Sequence, residues 1–249
     1  MTTIAIHQPQ YLPWVPYLDK IDACDVFVYL DNVQFQRRGV QNRNEIRGQH
    51  GPLRLTVPVK ADRETLIRDV TIVKDGWQNK HLASITHAYA RAPFYERYIG
   101  ELRDLLMRDF DRLVDLNVAV TDWLCDHLGI TSRRVRASEL QVSGEKEGMI
   151  LSVCEEVGGG TYLSGTGARV YQRQAHFAAR GLGLVYQQYR NAPYSQGQGA
   201  PFMADLSSID LLFHAGPEAR SILLAGRRAA VSEDQIPLPS AAVSDSPEV

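Results

Sequence analysis

The chain of 249 residues is long enough to bury a sizeable hydrophobic core and lies near the upper limit of what one core organises. Its 27 lysine and arginine residues nearly balance 29 aspartate and glutamate residues, so a formal net charge of −2 creates no overall field that would attract nucleic acid or an anionic membrane. No apolar run approaches the roughly 18 residues of a membrane span, and the amino terminus lacks a signal-peptide pattern. We therefore expect a cytoplasmic protein that neither spans a membrane nor binds nucleic acid.

The chain begins with the pattern of a βαβ unit. Residues 3–6 are a short β-branched apolar run that ends at a proline-rich loop, and residues 26–30 are a second apolar run. A helix is predicted between them, from about 15 to 24. Short continuous apolar runs joined by a helix are typical of buried parallel strands.

Two insertions follow in the predicted order. The polar, basic segment 33–60 contains an alternating pattern at 53–57, which predicts a β-rich, hairpin-like insertion. A short strand is predicted at 70–73. Residues 78–128 then carry helical periodicity in successive segments and predict a helical insertion.

Strands and helices alternate again from residue 133. Strands are predicted at 133–137, 161–163 and 184–188, with helices at 146–157 and 168–180 between them. This alternation predicts an α/β fold with a mainly parallel sheet and helices on both faces, of the nucleotidylyltransferase or Rossmann-like type.

The domain organisation follows from this pattern. Residues 1–231 are predicted to form a single α/β domain that carries both insertions. Residues 232–249 are rich in proline, serine and acidic residues without periodicity, so we predict a flexible tail.

Reactive side chains follow three of the predicted strands. His7 follows the first strand, Asp31 the second, and Ser164 and Gly165 the strand at 161–163. Ligands of open parallel sheets bind outside the carboxyl ends of the strands, so we expect these residues on one rim. The Ser164 turn opens a predicted helix and can hold an anion, although it matches neither a Walker motif nor a nucleophile elbow.

His7 and Asp31 are the candidate catalytic residues. Pro9 and Pro13 stiffen the loop around His7, as a general acid or base requires. Asp31 is suited to orient His7 or to bind an amine or a ribose hydroxyl. The structural alternatives are a histidine that pins its loop through the backbone and an aspartate that caps a turn.

The basic loop before residue 45 is a candidate anion site. Arg43 lies between Asn42 and Asn44, and its forked guanidinium suits a carboxylate or a phosphate. A solvated basic loop is the alternative. Asp210, inside the apolar run 206–213, needs a partner if it is buried, and an ion pair with Arg43 is one such partner.

The three cysteines, Cys24, Cys125 and Cys154, lie in apolar, helix-like contexts. Their spacing matches no zinc motif, and the histidines offer no metal pair. We expect small buried hydrophobes rather than disulfides or a catalytic thiol.

Several segments resemble the WbqC-like protein family, over nearly the whole chain to about Gly216. They are IAIHQPQYLPWVPYLDKIDACDVFVYLDNVQFQRRGVQNRNEIR, LTVPVK, AYARAPFY, ILSVCEEVGGGTYLSGTGARVY, APYSQ and LSSIDLLFHAG. The resemblance implies a biosynthetic transferase that acts on small amino-bearing or sugar-type substrates in bacterial polysaccharide or natural-product assembly. Together with the rim and loop arguments, it gives these substrate-binding candidates: Gln8, Tyr11, Gln34, Asn42, Arg43, Asn44, Ser164, Gly165, Tyr194, Gln196 and Asp210.

A second likeness concerns the fold alone. The order of strand, histidine-containing loop, helix and strand is similar to the start of nucleotidylyltransferase-like folds. The chain lacks the second histidine of their HxGH motif.

Three functions are compatible with these patterns. The first is an acyl or aminoacyl transferase that joins a carrier- or coenzyme-bound acyl group to an amine, helped by His7 or Asp31. The second is an ATP-dependent ligase or nucleotidyltransferase in which Arg43 and the Ser164 turn hold phosphates. The third is a non-catalytic binding protein. In each case the expected partner is a small molecule, and the residues identify no cofactor.

Overall fold

The computed structural model describes residues 1–197 and 201–235. Its strands are β1 (Thr3–His7), β2 (Val26–Tyr29), β3 (Arg43–Gly48), β4 (Gly51–Thr56), β5 (Val59–Lys60), β6 (Thr71–Ile72), β7 (Arg133–Arg136), β8 (Thr161–Ser164), β9 (Gly183–Tyr189) and β10 (Arg227–Val231). Its α-helices are α1 (Val15–Asp22), α2 (Trp77–Tyr89), α3 (Tyr95–Leu106), α4 (Leu113–Leu128), α5 (Glu147–Glu156), α6 (Gln174–Ala178), α7 (Ser208–Ala215) and α8 (Ala219–Gly226).

A six-stranded sheet with the order β10-β9-β8-β1-β2-β7 forms the centre of the fold. All neighbouring strands from β9 to β7 are parallel, which confirms the predicted mainly parallel sheet. The edge strand β10 is antiparallel to β9 and was not predicted. Its sequence, RRAAV, is too polar to stand out as a strand.

The sheet is covered on both faces, as predicted. Alternate residues of a strand point to opposite faces. Ala5 therefore belongs to one core, with Leu18 of α1 and Leu124 of α4, whereas Ile4 and Ile6 belong to a second core with Val153 of α5 and Phe177 of α6.

The predicted β-rich and helical insertions are both present. The hairpin β3–β4 pairs Arg43 with Thr56, and α2, α3 and α4 occupy the predicted helical region. The strand predicted at 70–73 exists as β6, but it pairs with β5 rather than with the central sheet.

The single continuous helix predicted at 168–180 is wrong. The chain forms a 3-10 helix over Thr166–Tyr171 and then the short α6. Val170 and Tyr171 are exposed, so no core face is available to stabilise a continuous helix there.

At the end of the described ranges, Glu233–Gln235 form a single 3-10 turn. The remainder of the predicted tail, 236–249, lies outside the described residues. Among the residues that the structure describes, no helix is long and apolar enough to cross a membrane.

Candidate functional site

Successive strands of the central sheet are added on one side of β1 up to β7 and on its other side from β8 onwards. From β1 the chain proceeds through α1 to β2 on one side, whereas β8 lies on the other side of β1 and follows α5. Helices α1 and α5 pack on opposite faces, so a crevice opens where the carboxyl ends of β1 and β8 meet. Ligands of doubly wound sheets bind at such a switch point.

A cavity of about 350 Å³ occupies this crevice. We call it the switch-point pocket. Its size is suited to a small molecule. Its lining combines the ends of β1 and β8, the segments that follow β2 and β8, the start of α5 and one side chain of α1. The residues are Ile6, His7, Gln8, Lys20, Leu30, Val33, Lys146, Glu147, Met149, Ile150, Tyr162, Ser164, Gly165, Gly167, Ala168, Tyr171 and Gln172.

His7 is held in one orientation at the end of β1. Its Nδ1 lies 3.1 Å from the carbonyl oxygen of Gln8, and its ring meets the edge of Tyr17 at a centroid distance of 5.1 Å. Burial, together with the positive charge of Lys20, lowers the pKa of His7 to about 3. The imidazole is therefore neutral at pH 7. Because a carbonyl only accepts, Nδ1 carries the proton and Nε2 is left as an acceptor.

Lys20 is one of the polar lining residues that sequence reasoning missed, together with Lys146, Glu147, Tyr162, Tyr171 and Gln172. It is only 4% exposed, and burial lowers its pKa to about 8. It forms neither a hydrogen bond nor an ion pair with any residue that the structure describes. A Cβ atom built on Gly165 would lie 3.1 Å from Lys20 Nζ, so the glycine leaves room beside the amine.

The amino-terminal end of α5 forms another wall of the pocket. Lys146 immediately precedes the helix, and Glu147 is its first residue. The Glu147 carboxylate is already engaged, because it accepts hydrogen bonds from His176 Nδ1 at 2.6 Å and from the backbone of Arg173 at 2.5 Å.

Two of the predicted residues in the pocket are fixed by amide side chains. Ser164 donates from Oγ to Gln172 Oε1 at 2.9 Å. Gln8 accepts at Oε1 from Gln41 Nε2 at 2.6 Å. His7, Ser164 and Gly165 come together at one rim, as predicted, and Gln8 lines the same pocket.

Asp31 does not share this pocket, which corrects the expectation of a common His7–Asp31 site. The end of β2 is on the same rim, because β1 and β2 are parallel. The Asp31 side chain, however, is fully buried against β7: it accepts from Arg136 Nε at 2.8 Å and from the Ser138 hydroxyl and backbone at 2.7 and 2.9 Å. Its oxygens are occupied by the protein itself.

The basic loop makes contacts within the protein. Asn42 donates to the Val57 carbonyl at 2.9 Å, Asn44 donates to the Leu12 carbonyl at 2.6 Å, and Arg43 Nε donates to the Gly39 carbonyl at 3.2 Å. None of the three lines the switch-point pocket.

Tyr11 and Gln34 also lie away from the switch-point pocket. Tyr11 is completely buried, and its hydroxyl lies 2.9 Å from His81 Nδ1. Gln34 is exposed and donates to the carbonyl of Arg63.

Asp210 is buried in a separate polar cluster. Its Oδ2 accepts from Tyr194 and from Gln196, both at 2.7 Å, and Gln196 in turn accepts from Arg47 at 2.7 Å. The predicted ion pair between Arg43 and Asp210 is wrong. Burial alone would raise the pKa of Asp210, but the nearby His214 and the two hydrogen bonds outweigh it, and the pKa is lowered.

Cys24, Cys125 and Cys154 are all buried and unpaired, and burial raises the pKa of each thiol to about 12. Within residues 1–197 and 201–235, no group of three histidine, cysteine or acidic side chains is placed to hold a metal ion.

These features define an α/β protein with a mostly parallel six-stranded sheet and a cavity at its switch point. The sequence profile of the WbqC-like protein family matches residues 8–222, and the chain belongs to this family. It is 29% identical over 229 residues to "Uncharacterized protein Rv1507c" of Mycobacterium tuberculosis (strain ATCC 25618 / H37Rv), a match that covers 90% of this chain and 98% of that protein. No solved structure matches the chain.

Proposed function

We propose that the protein is a biosynthetic transferase that moves an acyl or aminoacyl group to the amine of a small substrate, such as an amino sugar, in bacterial polysaccharide or natural-product assembly. The observation that carries the proposal is the acceptor atom Nε2 of a neutral, oriented His7 in the switch-point pocket. A general base of this kind is what an attacking amine requires.

In the proposed step, the amine nitrogen forms a bond to the acyl carbon, and its proton passes to His7 Nε2. The bond from the acyl carbon to the carrier or coenzyme breaks, and the leaving group takes the proton back from His7. Negative charge that develops on the acyl oxygen is stabilised by the nearby Lys20 ammonium.

An imidazole with a pKa of about 3 is a weak base, so the substrate itself must strengthen it. The positive charge of Lys20 is one of the two causes that lower the pKa of His7. Negative charge that builds up beside Lys20 offsets this effect and makes Nε2 more basic as the reaction proceeds.

The test is a transfer assay with mass-spectrometric detection, in which acyl and aminoacyl thioesters are combined with amino sugars and simple amines. We expect His7→Asn to lower the rate by about 10² to 10⁴ fold, the usual contribution of a general base. His50→Asn is the matched control, because His50 is exposed in the β3–β4 turn. Full activity of folded His7→Asn protein would refute the proposed role.

The geometry also favours a second candidate, an ATP-dependent ligase or nucleotidyltransferase. The pocket contains two lysines and the amino-terminal end of α5, where phosphate groups are commonly bound. ATP turnover in the absence of any thioester would favour this candidate over the first.

A further inference from the structure

The switch-point pocket contains a buried ammonium to which no described residue is bonded. Lys20 is 4% exposed, yet its ammonium has no bonded partner among the described residues. Burial of an uncompensated charge is costly, and proteins normally provide a partner for such a group. The pocket is the remaining direction from which a partner can arrive, because Lys20 lines it.

The acidic side chains near Lys20 are already committed to other groups. Asp19, its neighbour in α1, accepts from Arg227 at 2.6 Å and from Gln187 at 2.7 Å. Glu147, which also lines the pocket, is bonded to His176 and to the Arg173 backbone. Asp19 acts on Lys20 through its charge, which raises the pKa of the amine by less than burial lowers it. Neither carboxylate forms a bond to Lys20.

Two other features of the wall favour negative charge, and the Glu147 carboxylate, which is bonded to His176 and to the Arg173 backbone, opposes it. The partial positive charge at the amino-terminal end of α5 faces the pocket, and Lys146 adds a second cation. Gly165 leaves open the space next to Lys20 Nζ that a side chain would narrow.

We infer that the substrate of this pocket carries an anionic group, a carboxylate or a phosphate, that ion-pairs with Lys20 in the space beside Gly165. This inference assigns the substrate class for the site of the proposed function and rests on that proposal. Anion binding is nevertheless measurable without turnover, so the two can fail separately.

Other titratable groups surround Lys20 and bear on the pH dependence. Burial keeps the pKa of His7 near 3 and that of Cys24 near 12, far from the pKa of Lys20. The remaining charged or titratable groups that face Lys20 from its own helix or across the pocket are Asp19, Lys146, Glu147, Tyr162 and Tyr171.

The experiment titrates the full chain with sulfate, inorganic phosphate or acetate at constant ionic strength and measures heat of binding and melting temperature. We expect Lys20→Met to weaken binding of the preferred anion at least tenfold, as loss of a charge-assisted contact does. Lys60→Met, on exposed β5, is the control. Sulfate and phosphate also stabilise proteins by exclusion from the surface, and this contribution is the same in wild type and both variants.

The preferred probe identifies the anion. Tighter binding of sulfate and phosphate indicates a phosphate group in the substrate, and tighter binding of acetate indicates a carboxylate. If sulfate binds, its affinity should fall by up to tenfold per pH unit above about pH 8, because the amine must then take up a proton to bind it.

Substitution of glycine tests where in the protein the anion binds. Gly165→Ala should weaken binding, whereas Gly100→Ala should not, because Gly100 is exposed in α3 and a Cβ there meets nothing within 4 Å. Equal anion affinities of wild type and Lys20→Met, or of the two glycine variants, would overturn the inference. If Lys20→Met abolishes anion binding but the wild type shows no transfer activity, the inference stands and the proposed function is refuted.

Discussion

Replacement of Lys20 by methionine should make the protein more stable at neutral pH. Methionine fills a similar volume without a charge, so it removes the cost of burying an ammonium that has no partner. The difference between the ordinary pKa of 10.5 and the lowered pKa of about 8 corresponds to roughly 3 kcal/mol, at about 1.4 kcal/mol per pH unit.

The stability gained by Lys20→Met depends on pH. Below pH 8 the lysine is protonated in both the folded and the unfolded chain, and folding carries the whole cost. Between about pH 8 and 10.5 the unfolded chain binds a proton that the folded chain has lost, so the free energy of unfolding of the wild type rises with pH. The advantage of Lys20→Met should therefore be constant below pH 8 and should disappear by about pH 10.5.

Equilibrium unfolding in urea, measured from pH 6 to pH 11, tests this reasoning. At pH 7 we expect Lys20→Met to gain up to about 3 kcal/mol, or roughly 6 to 12 °C in melting temperature for a chain of this size. Lys60→Met should show no such gain, because Lys60 is exposed. Unchanged or lowered stability of Lys20→Met at pH 7 would show that the ammonium already has a partner and would refute the argument.

Three further predictions concern other residues. Asp31→Asn should lower the free energy of unfolding by about 2 kcal/mol in urea melts, because the half-buried Arg136 loses one of its two carboxylate partners and keeps only Asp115. Cys154→Ala should cost about 1 kcal/mol or more of stability yet leave the rate of transfer unchanged in the mass-spectrometric assay, because a thiol with a pKa of about 12 supplies almost no thiolate. Lys146→Gly should raise the melting temperature by relieving about 1 kcal/mol of backbone strain at φ 49°, while calorimetry should show weaker anion binding.

The rim of the pocket could be predicted because its signals are local. Each central strand is a short apolar run, and His7, Ser164 and Gly165 come directly after such runs. Parallel pairing of β1 with β8 then brings the strand ends together without further information.

The burial of Lys20 could not be predicted because its cause lies far along the chain. The segment YLDKID looks the same whether the helix is exposed or covered. In the structure the Lys20 amine lies beside Gly165, which follows β8, and the pattern of α1 alone does not reveal that neighbour. Asp31 is a similar case, because its partner Arg136 is 105 residues away.

The contact between Arg227 and Asp19 spans 208 residues and constrains how the protein is made. During synthesis α1 emerges early, whereas the strand that anchors it emerges after nearly all the other described elements. β1 must likewise wait for β8 before its second edge is paired. The nascent chain therefore exposes an unpaired apolar strand edge for much of its translation, which is the condition under which chaperones bind and aggregation competes with folding.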